Sequence, residues 1–199
     1  AGFRWLLCGF EAADPRILVN IQKRATREDN TRAVQIARKH GMKIKALMSC
    51  GHPGETRESI RAIKDWLIEM KVDDFDCTEI TPYPGTPYHD LAVPNEEAEG
   101  VWTYTQHQTG DRLHAREVDC STTADYYKGI PEEGYRSFVY TDHLDGDEIV
   151  ALRDELENDV RAALDIPFNA SRPALMYEHS MGQSLPEFIL RKKAAEAAI

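Results

Sequence analysis

What this sequence lacks narrows it first. None of its four cysteines, Cys8, Cys50, Cys77 and Cys120, stands in a CxxC pair, so neither a disulfide framework nor a zinc site is spelled out. Scattered single cysteines fit reduced thiols and a cytoplasmic protein. No apolar run approaches the roughly 18 residues that a membrane span needs. The first ten residues carry no basic n-region, so they do not read as a signal peptide. An initiator Met is also missing, and residues 3–10 already read as a buried strand; the expectation is a start inside a fold. Basic residues are the scarcer charge, 24 Lys and Arg against 34 Asp and Glu, for a net charge of −10. That balance works against non-specific binding to nucleic acid, which needs clustered cations to neutralise phosphate. There is no internal repeat and no low-complexity tract.

What is present is an ordinary globular composition, with 42% hydrophobic residues in 199, enough for one domain or one domain with an appendage. The first ninety residues alternate short apolar strands with amphipathic helices. Phe3–Phe10 reads as a strand, and Asp14-Pro15 as an N-cap followed by Pro at the first helical position. A second helix is expected from about Asn30 to His40, with Gly41 as its stop. Ile44–Met48 is the next strand. Thr56 can cap a helix whose Ile60, Ile63, Leu67 and Met70 recur at steps of three and four. Asp74–Thr81 is the third strand. This order implies parallel strands joined by right-handed crossovers, an α/β fold.

Beyond Asp90 the pattern changes. Val101–Gln106 and Leu113–Val118 flank Thr109-Gly110-Asp111 and read as a hairpin. Ser137–Thr141 is a short strand candidate. Asp147–Leu164 is a helix with Ile149, Leu152, Leu156, Val160 and Leu164 on one face, and a last helix is expected from Ser184 onward. Tyr104, Tyr126, Tyr127, Tyr140 and Tyr177, with His107, His114, His143 and His179, make this half rich in polar aromatics. Such tyrosines either line a substrate or simply pack at element edges with their hydroxyls satisfied.

In parallel α/β folds chemistry gathers where strand ends meet the following loops. The first strand ends in Gly9-Phe10-Glu11. The second ends in Gly51-His52-Pro53-Gly54-Glu55-Thr56, whose glycines allow close approach of a ligand but also suit a plain tight turn. The third ends in Thr81-Pro82-Tyr83-Pro84-Gly85-Thr86-Pro87, a rigid path with few backbone donors. Each is weak alone; their order and spacing are stronger.

These stretches, together with Asp14–Lys23, resemble the radical S-adenosylmethionine (radical SAM) superfamily, and within it the branch in which a cobalamin-binding domain often precedes the radical domain. The resemblance implies the C-terminal half of a partial (β/α)6 barrel, strands 4–6, in residues 1–92. Residues 93–199 would follow as an α+β C-terminal extension on the substrate side. It implies S-adenosylmethionine as cofactor. Glu11 would stand near its ribose and methionine parts, and Leu47, Ser49, Cys50 and Gly51 against its adenine. Thr81, Pro82 and Tyr83 would offer backbone contacts, with Glu55 as a structural tie in its loop. Lys23 is either a partner of Glu11 or a surface lysine.

One departure is large. The family holds a [4Fe–4S] cluster in a CxxxCxxC loop after its first strand, and no such triplet occurs here. The cluster ligands, and a cobalamin domain, are therefore expected upstream, in a missing N-terminal half of the same protein, and this chain alone is expected to be inactive. The implied function is generation of a 5′-deoxyadenosyl radical for methylation or a related modification of a small-molecule or natural-product substrate. Two alternatives are a methylthiotransferase-like enzyme acting on tRNA, which the acidic balance disfavours, and a non-catalytic interaction domain that kept the half-barrel.

Overall fold

The computed structural model describes residues 2–117 and 137–167. Strand β1 (Trp5–Glu11) leads through a short helix α1 (Pro15–Asn20) and helix α2 (Arg27–Lys39) to strand β2 (Lys43–Cys50). Helix α3 (Arg57–Met70) and strand β3 (Asp74–Glu79) follow. The three strands form a parallel sheet in the order β1-β2-β3, the α/β arrangement that the periodicity implies. Then come helix α4 (Pro87–Asp90) and strands β4 (Val93–Pro94), β5 (Val101–Thr105), β6 (Arg112–Arg116) and β7 (Val139–Thr141). These four make a second, antiparallel sheet in sequence order. Helix α5 (Gly146–Leu164) closes the described part.

Local chemistry accounts for the boundaries. Asp14 caps α1 through the backbone N–H groups of Arg16 and Ile17, with Pro15 at the first position. Helix α2 starts earlier than its apolar stripe suggests, because Thr26 and Asp29 form a reciprocal capping box. Thr56 caps α3 as expected, and Ile60, Ile63, Leu67 and Met70 are all buried. They meet Ile44, Ala46, Met48, Phe75 and Cys77 from the helix-facing side of the sheet in one core, to which the Phe10 and Trp66 rings add an edge-on contact at 5.1 Å.

Helix α5 belongs to the same core: Ile149, Leu152, Leu156 and Val160 are buried there. It also covers the outer edge of β3, where Arg153 Nε donates to the carbonyl of Cys77 at 2.9 Å. An uncovered strand edge is an aggregation risk, and a helix laid along it removes the risk. At the opposite edge the expectation of a buried first strand is corrected. Trp5, Leu6 and Leu7 are 42%, 41% and 51% exposed, because β1 is the sheet's other edge and no described element packs on its outer side. The hairpin and the β7 strand appear where the sequence places them, although β7 holds only Val139–Thr141. The helix expected after Ser184 lies outside the described residues.

Candidate functional site at the strand ends

Glu11 ends β1 in an unusual backbone state. Its φ is +66°, in the left-handed region that costs a non-glycine residue energy, and the β1–β2 register slips between Gly9 and Glu11. The Glu11 carboxylate folds back over Gly9, where an added Cβ would lie 2.6 Å from Oε1, so a side chain there would push the carboxylate out of this position. Lys23 Nζ reaches Oε1 at 3.2 Å, and both side chains remain about one-third exposed. Lys23 is thus a partner of Glu11 rather than a free surface lysine. It stands between Gln22 and Arg24, both also left-handed, with φ of +54° and +55°.

On β2, Ile44, Ala46, Met48 and Cys50 enter the helix-side core, so the strand alternation turns Lys45, Leu47 and Ser49 to the opposite face. Ser49 Oγ donates to Glu11 Oε2 at 3.0 Å. It also lies 2.8 Å from His52 Nε2, whose other ring nitrogen is 3.3 Å from the Tyr88 hydroxyl. His52 is 6% exposed, and burial pushes its pKa down to about 4, so the ring is neutral near pH 7. Leu47 is half-buried on the same face.

The loop after β2 is tied internally. The Glu55 carboxylate is fully buried and accepts from the Ser59 hydroxyl and the His52 N–H; burial pushes its pKa up to about 7. This is the structural tie that the sequence suggests. Gly51 adopts φ +89°, and a Cβ there would stand 2.9 Å from Val139 of β7. The side of Gly51 without a side chain is therefore filled by the second sheet. Thr141 of β7 donates to the Glu55 carbonyl at 3.0 Å.

Thr81, Pro82 and Tyr83 follow β3 and are half-buried. The Tyr83 carbonyl accepts from Thr86, which closes the Pro-rich turn and sets Tyr88 on α4. Tyr88 packs on Tyr104 of β5 with ring centroids 4.9 Å apart. Between this turn and the second sheet lies a cleft of about 180 Å³, walled by Pro82, Pro84, Tyr88, Trp102 and Arg116. Tyr104 is buried. His114 stands across from Thr103 on β5, bonds Thr103 and Asp142, each at 2.9 Å, and stacks on Tyr140. Tyr126, Tyr127, Tyr177 and His179 lie outside the described residues.

Three contributors are invisible to spacing. Asp111, in the β5–β6 turn, accepts two bonds from Arg16 at 2.7 Å and one from Asn20 at 2.8 Å. Asn20 also donates to the Pro53 carbonyl at 2.7 Å, so the hairpin tip is pinned to α1 and to the loop after β2. Arg16 holds the Asp111 carboxyl down at about 2. Deeper on the inner face, Lys45 lies 3.1 Å from Asp74 and 3.3 Å from Asp76. His52 sits in the glycine-bearing loop after β2 and Tyr88 directly follows the Pro-rich stretch that ends at Pro87; the contact between them, 36 positions apart, is not local.

The cysteines do not fit an iron–sulfur cluster. Cys50 and Cys77 point into the helix-side core and Cys8 packs against it. Its neighbour Cys77 and full burial raise the Cys50 thiol well above its ordinary pKa, whereas cluster ligands must be thiolates. Cys120 is outside the described residues. Glu11, about one-third exposed at the end of β1, has the chemistry to accept from a hydroxyl or amine group.

Comparison with known proteins gives these residues a context. Residues 1–67 match the Radical SAM superfamily. A candidate methylthiotransferase of Methanocaldococcus jannaschii is 25% identical over 162 residues, 76% of this chain and 36% of that protein. The ribosomal protein uS12 methylthiotransferase RimO of Brucella anthropi is 32% identical over 98 residues, 47% of this chain and 22% of RimO. An uncharacterized methyltransferase of Pyrococcus horikoshii is 37% identical over 87 residues, 44% of this chain and 19% of that protein. The chain thus spans between 19% and 36% of the length of these relatives. Among solved structures, the radical S-adenosylmethionine methyltransferase TsrM of Kitasatospora setae, with cobalamin and a [4Fe–4S] cluster bound, covers 80% of this chain and 31% of its own, at 20% identity and a TM-score of 0.45.

Proposed function

Residues 1–67 belong to the Radical SAM superfamily, and from that premise we propose that this chain is the C-terminal part of a radical SAM enzyme that methylates, or similarly modifies, an organic substrate. The observation that carries the reading is the meeting of Glu11, Ser49 and the turn after β3 at one end of three parallel strands. Bound there, S-adenosylmethionine would supply the 5′-deoxyadenosyl radical or a methyl group, with an electron from an upstream cluster. The chain's own residues bind and orient. Glu11 accepts from the ribose hydroxyls or the methionine ammonium, and the Leu47 and Ser49 side chains lie toward the adenine. Cys50 (its side chain in the helix-side core) and Gly51 (its open side filled by Val139) take part only through their backbone, and Thr81, Pro82 and Tyr83 present backbone groups beside it.

The exposed apolar edge of β1 supports a division in which the first half of the barrel packs on Trp5, Leu6 and Leu7. Residues 93–199 then form the substrate side. Cobalamin dependence is part of the proposal and belongs to a domain upstream. A non-catalytic reading needs no link between Glu11 and the Pro-rich turn, and the Ser49–His52–Tyr88 contacts supply one.

The test uses reconstituted full-length protein. It is expected to show cluster absorbance, conversion of S-adenosylmethionine either by reductive cleavage to 5′-deoxyadenosine and methionine or by methyl transfer to S-adenosylhomocysteine, and product formation that needs added cobalamin. Glu11→Gln is expected to weaken S-adenosylmethionine binding about tenfold through loss of a charge-assisted hydrogen bond. Cluster-loaded protein that leaves the nucleotide intact would sink the enzymatic reading. The similarity to methylthiotransferases favours a second reading, sulfur insertion, and a product carrying a methylthio rather than a methyl group decides for it.

A further inference from the structure

Four polar groups lie end to end between the two sheets: the Glu11 carboxylate, the Ser49 hydroxyl, the His52 imidazole and the Tyr88 phenol, with spacings of 3.0, 2.8 and 3.3 Å. The proton positions along this line follow from simple counting. A carboxylate beside Lys23 only accepts. The 3.0 Å contact must then be filled by the one proton of Ser49, since otherwise two oxygens would face each other through their lone pairs. Having used its proton, Ser49 Oγ can only accept from His52, so Nε2 carries the imidazole proton. A neutral imidazole has one N–H, so Nδ1 is bare and accepts from Tyr88. Every bond points toward Glu11.

We infer that Tyr88, His52 and Ser49 are positioning residues that hold Glu11 in its left-handed, folded-back conformation by a one-way hydrogen-bond relay. The Lys23 bond fixes Oε1, and the relay fixes Oε2. Glu11 needs such restraint because its backbone is strained and its carboxylate stands over a residue without a side chain. Burial keeps His52 neutral, which the relay requires; a protonated ring would make Nδ1 a donor and reverse its bond, with the Tyr88 hydroxyl accepting. Tyr88 itself is fixed from outside the parallel sheet, by α4 and by packing on Tyr104. The group that orients the nucleotide-side carboxylate is thus set by the region beyond β3, and the same Tyr88 walls the cleft next to Trp102 and Arg116.

The relay is a property of the fold, whereas its effect on S-adenosylmethionine rests on the function proposed above. Two measurements separate them. In full-length protein labelled with 15N-histidine, long-range 1H–15N correlation spectra are expected to show His52 with Nε2 protonated and Nδ1 bare near pH 7. Tyr88→Phe removes one hydroxyl and keeps the ring packing; it should shift the Nδ1 resonance away from its hydrogen-bonded position. A His52 protonated on Nδ1 overturns the relay, and so does an Nδ1 resonance unmoved by Tyr88→Phe.

In the cluster-loaded holoenzyme, S-adenosylmethionine affinity should fall in order of distance from Glu11, about tenfold for Ser49→Ala and about threefold for Tyr88→Phe, the range for loss of one hydrogen bond. Wild-type affinity in Ser49→Ala and Tyr88→Phe beside a weakened Glu11→Gln overturns the positioning role and leaves the proposed function standing. Wild-type affinity in Glu11→Gln overturns the reading of Glu11, and the tautomer still judges the relay.

Discussion

The two ends of the inner face of the parallel sheet bury polar groups in opposite ways. At the carboxyl end, Ser49, His52 and Tyr88 are joined by neutral hydrogen bonds, and the charge at the end of the line, Glu11, stays partly open to solvent. At the amino end, Lys45 is 3% exposed by side chain and stands between Asp74 and Asp76, at ion-pair distance from both. A neutral directed chain gives orientation at little desolvation cost. A buried ion cluster gives fixed charge at a cost that only mutual attraction offsets. The orienting device therefore lies where a ligand would be read, and the charged cluster fills the interior below it. Leu47 separates the two on β2.

Breaking the ion cluster has the largest expected effect. Lys45→Met removes the nearest cation from two buried carboxylates, with Arg161 remaining 3.9 Å from Asp74. Above pH 7, where Asp76 has lost its proton, it is expected to cost about 3 kcal/mol of stability, read from the midpoint of urea denaturation. Adding Asp74→Asn and Asp76→Asn should recover most of that loss, because no charge then remains to be compensated. If Lys45→Met stays within about 1 kcal/mol of the parent, the cluster is solvated and the contrast between the two ends disappears.

The two ends were not equally legible in the sequence. The parallel unit follows from apolar spacing: Ile60, Ile63, Leu67 and Met70 are buried as their intervals require, and Thr56 caps as its position implies. The strand-end loops are legible as loops because glycine and proline mark them. What could not be read is who meets whom across strands. His52 lies in a visible motif and Ser49 is three residues before it, but Tyr88 is brought to the ring by the path of the Pro-rich turn and Glu11 to Ser49 by the end of another strand. Lys45 is one residue in an alternating strand, and nothing local says that Asp74 and Asp76 flank it 29 and 31 positions later. The exposure of Trp5 and Leu7 is likewise a fact of sheet order, not of hydrophobicity. The Thr26–Asp29 capping box is local, a Thr three residues before an acid, and it starts α2 ahead of the apolar stripe.

The pH profile probes both ends, through His52 and Glu55 at the carboxyl end and Asp76 at the amino end. Glu55 and Asp76 have pKa values raised by burial to about 7. Each holds a proton in the folded state that the unfolded chain has lost, so its stabilising effect is full at low pH and is lost as pH rises toward 7. His52 is lowered by burial to about 4; its contribution is present above its unfolded value and is lost as pH falls from about 6.5 toward 4. Between pH 4.5 and 6.5, two groups thus favour acid and one opposes, each at about 1.4 kcal/mol per pH unit. The parent is expected to gain stability on acidification with the slope of one group. Glu55→Gln should flatten the profile, and His52→Asn should double its slope. Denaturation midpoints at pH 5 and 6.5 decide this, and identical slopes in all three proteins would mean that His52 and Glu55 are hydrated rather than buried neutral.

The smallest expected effect concerns the clamp that brings the second sheet to the carboxyl end. Asp111 joins Arg16 and Asn20, and through Asn20 the Pro53 carbonyl. Its partner Arg16 is largely exposed, 62% by side chain, and a pair open to water on one side contributes little. Asp111→Asn keeps the shape, retains one acceptor and removes the charge, so a loss of about 1 kcal/mol is expected. The same carboxylate, held at about 2 by Arg16, has a lowered pKa. Its contribution is complete above its ordinary value near 4 and disappears as pH falls through about 2. Parent and Asp111→Asn should therefore differ in stability at pH 6 and converge in acid. A difference that persists unchanged to pH 2 would mean that Asp111 acts through shape, by filling the space over Gly54 where a Cβ would lie 2.6 Å from its carboxylate. In that case the second sheet is docked by packing, and the relay through Tyr88 does not depend on the clamp's charge.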